Sequence, residues 1–526
     1  MRKLTVTAID TTGIQSYIFG SNVLKHNVGA SELVRCATQD WVYQELTRLG
    51  ATNVDLNGRI DGQAAIEHDD LVSELIYAGG GNTVLLFRSA ETAREFARCL
   101  TRCTLLKAPG LQLIVAHSRE FDWEREALSQ VVKATLDKVN RKKLDHVASA
   151  PLLGLSVTAD CQYTGLPAID NNEDDKRISA EIKAKEEIFK DAHDRLTDWL
   201  PLNGYEIPKV FDDFGRTKGE SSYIAVIHTD GNGMGKRVAD IANMYKGPED
   251  NRPYVNKMRE FSTSITIVAQ EAIKATFRQL IDCIDHESKI CGVVQVRKEK
   301  LPLRPIVMGG DDFTLVCDGR LALTLTEFYL RQITNKPLAD GKLLSIRAGI
   351  AVVKSHFPFA RAYAVSEELA KSAKDYLNER KAPPFNEQGL SAIDWHFAVS
   401  GAVMDLKEIR EREYTGRNGK LTIRPLCIGP NGSDWRSWDM FAHIIEDFRT
   451  KKEWTERRNK VKELREVLRS EKSAVEQFLQ AYGLPTLPDI QSYPDASKTG
   501  WIGDRCTCFD AIEALEFFVP LEGVKK

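Results

Sequence analysis

Two adjacent aspartates stand between apolar runs in Pro305–Cys317, PIVMGGDDFTLVC, and a third acid, Asp230, closes the run SYIAVIHTD. Ile306 and Val307 lead into the first stretch and Phe313, Leu315 and Val316 lead out, all strand formers, so the interruption reads as a β-hairpin turn. Gly309 and Gly310 are expected to supply the φ > 0 geometry that two-residue turns demand. Asp311 and Asp312 then sit at the tip, where two like charges are either solvated or set against a divalent cation.

Asp230 ends a buried strand and faces the turn Gly231-Asn232-Gly233-Met234-Gly235. In a βαββαβ sheet with strand order 4-1-3-2, the end of the first strand lies beside the hairpin of the second and third, so Asp230, Asp311 and Asp312 would converge as metal ligands. Three carboxylates suit a pair of Mg²⁺ or Mn²⁺ ions roughly 3.5–4 Å apart, the arrangement that activates a hydroxyl and stabilises the leaving oxygen in nucleotidyl transfer. For GGDD alone, a solvated turn is an equal reading. A phosphate loop would need Gly at Asp230 and Ser or Thr at Arg237, and an EF-hand would need ligands at Met234 and Ile241.

The elements that would hold these acids occur twice. Residues 221–400 read as a strand to Asp230, a long helix EFSTSITIVAQEAIKATFRQLIDCI, the GGDD hairpin, a helix LALTLTEFYLRQI, a strand LLSIRAGIAVVKS and a helix VSEELAKSAKDYLNER. Residues 1–121 read in the same order: strand LTVTAID to Asp10, helix IQSYIF, a helix from a capping Ser31, hairpin Ile76–Phe87, a helix from Ser89 and strand LQLIVAHS. Asp10 matches Asp230, and Gly79-Gly80-Gly81-Asn82 matches Gly309-Gly310-Asp311-Asp312. The acid-to-turn intervals are 69 and 79 residues (79 − 10 and 309 − 230), one plan with a variable insert. Because Gly81 and Asn82 replace the acids, the first copy is expected to be a degenerate partner.

The expected fold class is α+β, two tandem ferredoxin-like (βαββαβ) palm domains at 1–121 and 221–400. Residues 122–220, dense in i, i+4 opposite charges, form a solvated helical connector, and 401–526 a mostly helical C-terminal domain. In the latter, a strand LTIRPLCI precedes a basic run in which Trp454, Val461, Leu464 and Leu468 make an apolar stripe. With 42% apolar and 28% charged residues and a formal charge of −3, the chain is an ordinary globular one without a global basic field for duplex nucleic acid. No apolar run approaches the ~20 residues of a membrane span, and the start enters a strand pattern directly, so the expected location is cytoplasmic. The ten cysteines include no C-x-x-C pair and read as reduced core thiols.

The motifs DTTGIQSYIF, HNVGASELV and YAGGGNTVLLF, followed by HTDGNGMGK, MGGDDFTLV and SAIDWHF, make the chain resemble the polymerase/cyclase-like large subunit of type III CRISPR effector complexes, and more distantly the GGDEF nucleotide cyclases. That resemblance implies that Asp230, Asp311 and Asp312 are catalytic and metal-binding, and that Lys374 in ELAKSAKD reaches a nucleotide triphosphate. It assigns Gly231, Gly309 and Gly310 to the same nucleotide site, and Gly79, Gly80 and Gly81 to a second nucleotide across the inter-palm cleft. Two departures stand out. With the first palm starting at residue 4, the family's His-Asp nuclease domain is not expected here; the doublets at 68–69 and 193–194 are isolated. TADCQYTGLPA resembles half a zinc knuckle with Thr164 in place of a cysteine, and one thiolate holds no structural zinc.

The expected activity is a metal-dependent nucleotidyltransferase or cyclase that joins nucleoside triphosphates, ATP first among them, into cyclic or linear oligonucleotide second messengers for antiviral defence. Expected partners are the triphosphates, RNA-guided effector subunits or an activating RNA, and no membrane. The alternative is a non-catalytic scaffold that binds nucleotide or an RNA complex. Templated polymerisation fits less well, for want of a duplex-binding groove.

Overall fold

β-Branched and aromatic runs that alternate in burial build two sheets, described here from a computed structural model covering residues 3–68, 70–145, 155, 157–214, 222–380, 389–398, 405–429, 435–490 and 493–523. The N-terminal sheet contains β1 (Lys3–Thr12), β2 (Ser73–Gly79), β3 (Asn82–Phe87) and β4 (Gln112–His117) in the order β2-β3-β1-β4. The central sheet contains β5 (Tyr223–Gly231), β6 (Leu303–Gly309), β7 (Asp312–Asp318) and β8 (Ile346–Lys354), followed by β9 (Ser391–Ala398) and β10 (Leu426–Ile428). Its order is β6-β7-β5-β8-β9-β10, so its first four strands follow the N-terminal order and β9 adds in parallel to β8. The strand expected over LTIRPLCI is confined to Leu426–Ile428, because Pro425 has no N–H to give a ladder.

The duplication is exact to the residue along the strands. Asp10 pairs across with Ile114, and Asp230 with Arg347. Gly79 pairs with Asn82, and Gly309 with Asp312, and both hairpins shift register at the same point, between Leu75 and Tyr77 and between Pro305 and Val307. Behind each β1-type strand a left-handed glycine, Gly13 (φ 67°) or Gly233 (φ 78°), opens a helix: α1 (Ile14–Phe19) and its counterpart Met234–Met244.

Several helices depart from expectation. Ser31 caps nothing: α2 (Leu24–Arg35) starts seven residues upstream and runs through a π-turn, Cys36–Asp40, into α3 (Trp41–Leu49). The reason is packing. A Cβ on Gly29 would lie 1.9 Å from the Lys185 carbonyl oxygen, so the backbones of α2 and a later helix touch there. After α4 (Ala90–Lys107), capped by Ser89, comes α5 (Leu128–Asp145), which packs on β1 and β4. The charge-dense α6 (Ala180–Trp199) is not solvated all round: Lys185 is buried, donating to the Tyr17 carbonyl at 2.7 Å and pairing with Glu181 at 2.5 Å.

In the central half, α7 (Met234–Met244) leads into α8 (Asn251–Asp282), and α9 (Ala322–Thr334) and α10 (Phe359–Glu379) follow the GGDD hairpin and β8. Glu74 of β2, fully buried, accepts from Arg252 (2.6 Å) and Arg259 (2.5 Å) of α8, which ties α8 to the N-terminal sheet. The basic C-terminal run breaks into α11 (Trp438–Thr450), α12 (Lys452–Thr455), α13 (Arg458–Val467) and α14 (Lys472–Ala481), with Trp454, Val461, Leu464 and Leu468 all buried. All ten cysteines are free thiols. Among the described residues, no helix is long and apolar enough to cross a membrane.

Candidate nucleotide and metal site

The GGDD turn has Gly310 and Asp311 at its centre, and only Gly310 (φ 83°) takes positive φ. The expectation for Gly309 is corrected: it is a paired strand residue opposite Asp312 and needs no special geometry. The N-terminal hairpin differs, with both Gly80 (φ 59°) and Gly81 (φ 80°) left-handed. Two positive φ values mark a type I′ turn and one at the first position a type II′ turn, so an aspartate is tolerated at 311 and strained at 81.

What lies under Asp311 is Gly231. A Cβ there would fall 2.3 Å from Asp311 Oδ2, so the carboxylate rests on bare backbone one residue beyond Asp230. The first copy inverts this arrangement: Thr11 stands where Gly231 does, and its Oγ1 lies 3.3 Å from where a Cβ on Gly81 would be. Burial raises the Asp311 carboxyl above the usual range.

Asp312 is half-exposed toward the cleft, yet its Oδ1 is buried with no hydrogen-bond partner. Burial, then the charges of Asp311 and Glu367, push its carboxyl up to about 7. His228 Nδ1 stands 3.6 Å from that oxygen, but burial, then Arg347, hold the imidazole down to about 4, so at neutral pH it brings no charge. Asp230 is ion-paired with Arg347, its cross-strand partner.

These groups open into a cleft of about 540 Å³, lined also by Glu367, Lys371, Lys374 and Asp375 of α10 and by Gln15 of α1. Its size is within the ~300–1,000 Å³ of small-molecule sites. Gln15 Nε2 donates to Glu367 Oε1 at 2.6 Å, and Phe19 stacks on Tyr363 with centroids 3.6 Å apart, so the first copy's α1 forms one wall. The hairpin tips meet: a Cβ on Gly80 would lie 3.7 Å from the Gly309 carbonyl. Helix α8 passes beneath both, with Ser262 near Gly79 and Ile265 near Gly310.

The structure thus places Asp230, Asp312 and Lys374 on the lining of the cleft, sets Asp311 against Gly231, and brings Gly80 close to Gly309 where the hairpin tips meet. It engages the Asp230 carboxylate with an arginine. Among the described residues, no group of three or more His, Cys, Asp or Glu side chains is arranged to hold a metal. The chemistry of the donors nevertheless fits a divalent cation: an orphaned buried carboxylate oxygen with a raised pKa, beside a second buried acid, is a site short of positive charge. His193 of the second His-Asp doublet is buried, with Nδ1 3.0 Å from Arg304; Asp69 of the first lies outside the described residues.

Sequence reasoning missed Arg347, His228, Glu367, Lys371 and Gln15. Arg347 and His228 carried a signal, since each is a polar residue inside an otherwise apolar strand. Glu367, Lys371 and Gln15 had none beyond lying on helices that end up beside the cleft.

Residues 223–382 match the family model for Cas10/Cmr2, second palm domain. No curated protein matches the chain. Among solved structures, Csm1 of T. onnurineus shares 13% identity at a TM-score of 0.51, over 99% of this chain and 70% of that one. A Csm1-Csm4 cassette in complex with pppApA shares 14% at 0.53, over 98% and 70%, and one in complex with AMPPNP shares 14% at 0.52 over the same shares. The matched segment spans β5 to α10 and includes every acid of the cleft: it is similar to a Cas10/Cmr2 second palm domain, and the whole chain shares the fold of Csm1.

Proposed function

We propose that this protein is a nucleotidyltransferase that joins nucleoside triphosphates, ATP foremost, into cyclic or linear oligonucleotides, from two tandem ferredoxin-like palms. The observation that carries the reading is the orphaned Oδ1 of Asp312, next to Asp311 in sequence, in a cleft whose α10 wall bears Lys371 and Lys374. Acids alone would repel a triphosphate, and lysines alone would need no orphaned carboxylate.

In this reading Asp311 and Asp312, with Asp230 beside them, hold divalent cations, Mg²⁺ or Mn²⁺, which when bound lower the pKa of a 3′-hydroxyl and neutralise pyrophosphate. Lys374 and Lys371 bind the polyphosphate. Gly231 and Gly310 let phosphate and carboxylate approach the backbone closely. Gln15 and α1 close the side of the cleft, which orients the second nucleotide and excludes water. Neighbouring folds crystallised with AMPPNP, pppApA and cA4 support the substrate class, and the cassettes with Csm4 support a smaller effector subunit as partner.

The test is to incubate the purified chain with each labelled triphosphate and Mg²⁺ or Mn²⁺, with and without RNA, and identify products by mass spectrometry. Adenylate oligomers are expected, lost in Asp311→Asn and Asp312→Asn and retained in Asp10→Ala. Normal product from Asp312→Asn would overturn the assignment. One observation favours a non-catalytic nucleotide binder instead: the engagement of Asp230 by Arg347. Nucleotide binding without product under every condition would select that alternative.

A further inference from the structure

The acid at the end of the first strand is neutralised in both copies, but by different cations. Asp10 lies opposite the apolar Ile114, and its counter-ion is Lys143 of α5, with Nζ 2.5 Å from Oδ2. Asp230 lies opposite Arg347 and pairs with it.

Helices α5 and α10 occupy equivalent places. The buried residues Val132, Thr135 and Val139 of α5 repeat at an interval of 231 as Tyr363, Ser366 and Ala370 of α10. Each helix also starts with a backbone N–H given to an asparagine of the other copy: Leu128 N to Asn251 Oδ1 at 2.6 Å, and Phe359 N to Asn22 Oδ1 at 2.8 Å. Lys143 and Lys374 both stand 15 residues beyond that capped position (143 − 128 and 374 − 359). Lys374 is therefore the counterpart of the lysine that closes on the acid in the first copy. Among the described residues it makes no ion pair and lines the cleft.

We propose that Arg347 is a positioning residue: by occupying Asp230 it keeps Lys374 off that acid and available to an anionic ligand, for which the nucleotide reading above supplies the triphosphate. A strand-borne guanidinium directly opposite a carboxylate is better placed than a flexible lysine on a neighbouring helix, so the arginine wins the acid. The first copy, with Ile114 at that register, shows the outcome without it: the lysine closes on Asp10, and one cation serves where the second copy has two. The exchange of one strand residue, Ile114 against Arg347, separates a shut site from an open one.

Amine-reactive labelling of the ligand-free full-length chain, quantified by mass spectrometry, tests this without any appeal to nucleotide. Lys374 should label in the wild type and in Arg347→Lys, and become protected about tenfold in Arg347→Ile, as Lys143 is in every variant. Unchanged Lys374 labelling in Arg347→Ile, with the fold verified by circular dichroism, overturns the proposal. Binding of AMPPNP with Mg²⁺ then forms a cycle: Lys374→Met and Arg347→Ile should each weaken it about tenfold, and the double variant no further. A multiplicative loss in the double variant would mean that Arg347 acts on the ligand by itself, and overturns the proposal. Protection of Lys374 in Arg347→Ile with AMPPNP affinity unaltered in Lys374→Met would uphold the exchange of cations and sink the triphosphate reading instead.

Discussion

Asn251 accepts the backbone N–H of Leu128 across 123 positions of sequence, while its Nδ2 donates to the carbonyls of Trp123 (2.8 Å) and Glu126 (3.0 Å). Asn22 does the reciprocal service for Phe359. Each half of the molecule thus caps the helix that forms the other half's wall. Asn251→Ala strands three backbone groups, two of them in buried hydrogen bonds, and should cost about 1–3 kcal/mol in urea unfolding. The more open Asn22→Ala should cost about 1 kcal/mol. Equal stability of Asn251→Ala and wild type would remove the cap from the account.

Glu74 answers two arginines in a fully buried setting, and because Arg252 also pairs with Glu67, removing Glu74 leaves Arg259 as the guanidinium without a carboxylate. Glu74→Ala should destabilise by about 3–5 kcal/mol, enough to lose soluble expression. The exposed pair Lys336–Glu271 is the control, and Lys336→Ala should change the unfolding midpoint by under about 1 kcal/mol.

Gly231 has no room for a methyl group. Gly231→Ala should displace Asp311 and reduce product formation about 10²-fold, since ångström-scale misplacement at a reacting centre costs that much. Thr11→Gly, its mirror in the first copy, should leave turnover near normal. A Gly231→Ala variant with undiminished product formation would dissociate Asp311 from the proposed chemistry.

Burial holds three histidines remote from the GGDD acids below their usual range: His117 and His193 to about 4 and His396 to about 3. Between about pH 4 and 6.5 the unfolded chain takes up protons that the folded chain refuses, so stability is complete above 6.5 and falls on acidification. His117, partly exposed and hydrogen-bonded to Thr7 at 2.8 Å, is replaceable without opening the core. His117→Gln should flatten the decline by on the order of 1 kcal/mol, part of its shift being screened by solvent. An unaltered slope in denaturant midpoints between pH 4.5 and 6.5 would contradict this.

The hairpins, the strand-end acids and the sheet order were readable because period-two burial and turn glycines are local signals. Gly309 was misread because a glycine pair does not say which member is the turn residue. The long-range partners were not readable: nothing in the runs around Asn251 and Leu128, or Asp230 and Arg347, announces that they meet, since register and helix placement decide it. Ser31 was misjudged because a capping residue type inside a helix looks the same as one at its start. The Lys374 assignment came from resemblance alone, and only the match of α5 with α10 gives it a structural counterpart.

The unlike turns at Gly80-Gly81 and Gly310-Asp311 carry a last consequence. Were the two halves separate identical chains meeting tip to tip, any substitution in one would appear in the other, and the acids could only be kept or lost together. Joined in one polypeptide, the halves are encoded separately along one gene and can differ position by position. One carries Gly81 and Asn82 where the other carries Asp311 and Asp312, so the direction of any reaction at their junction is written into the gene rather than chosen at each encounter.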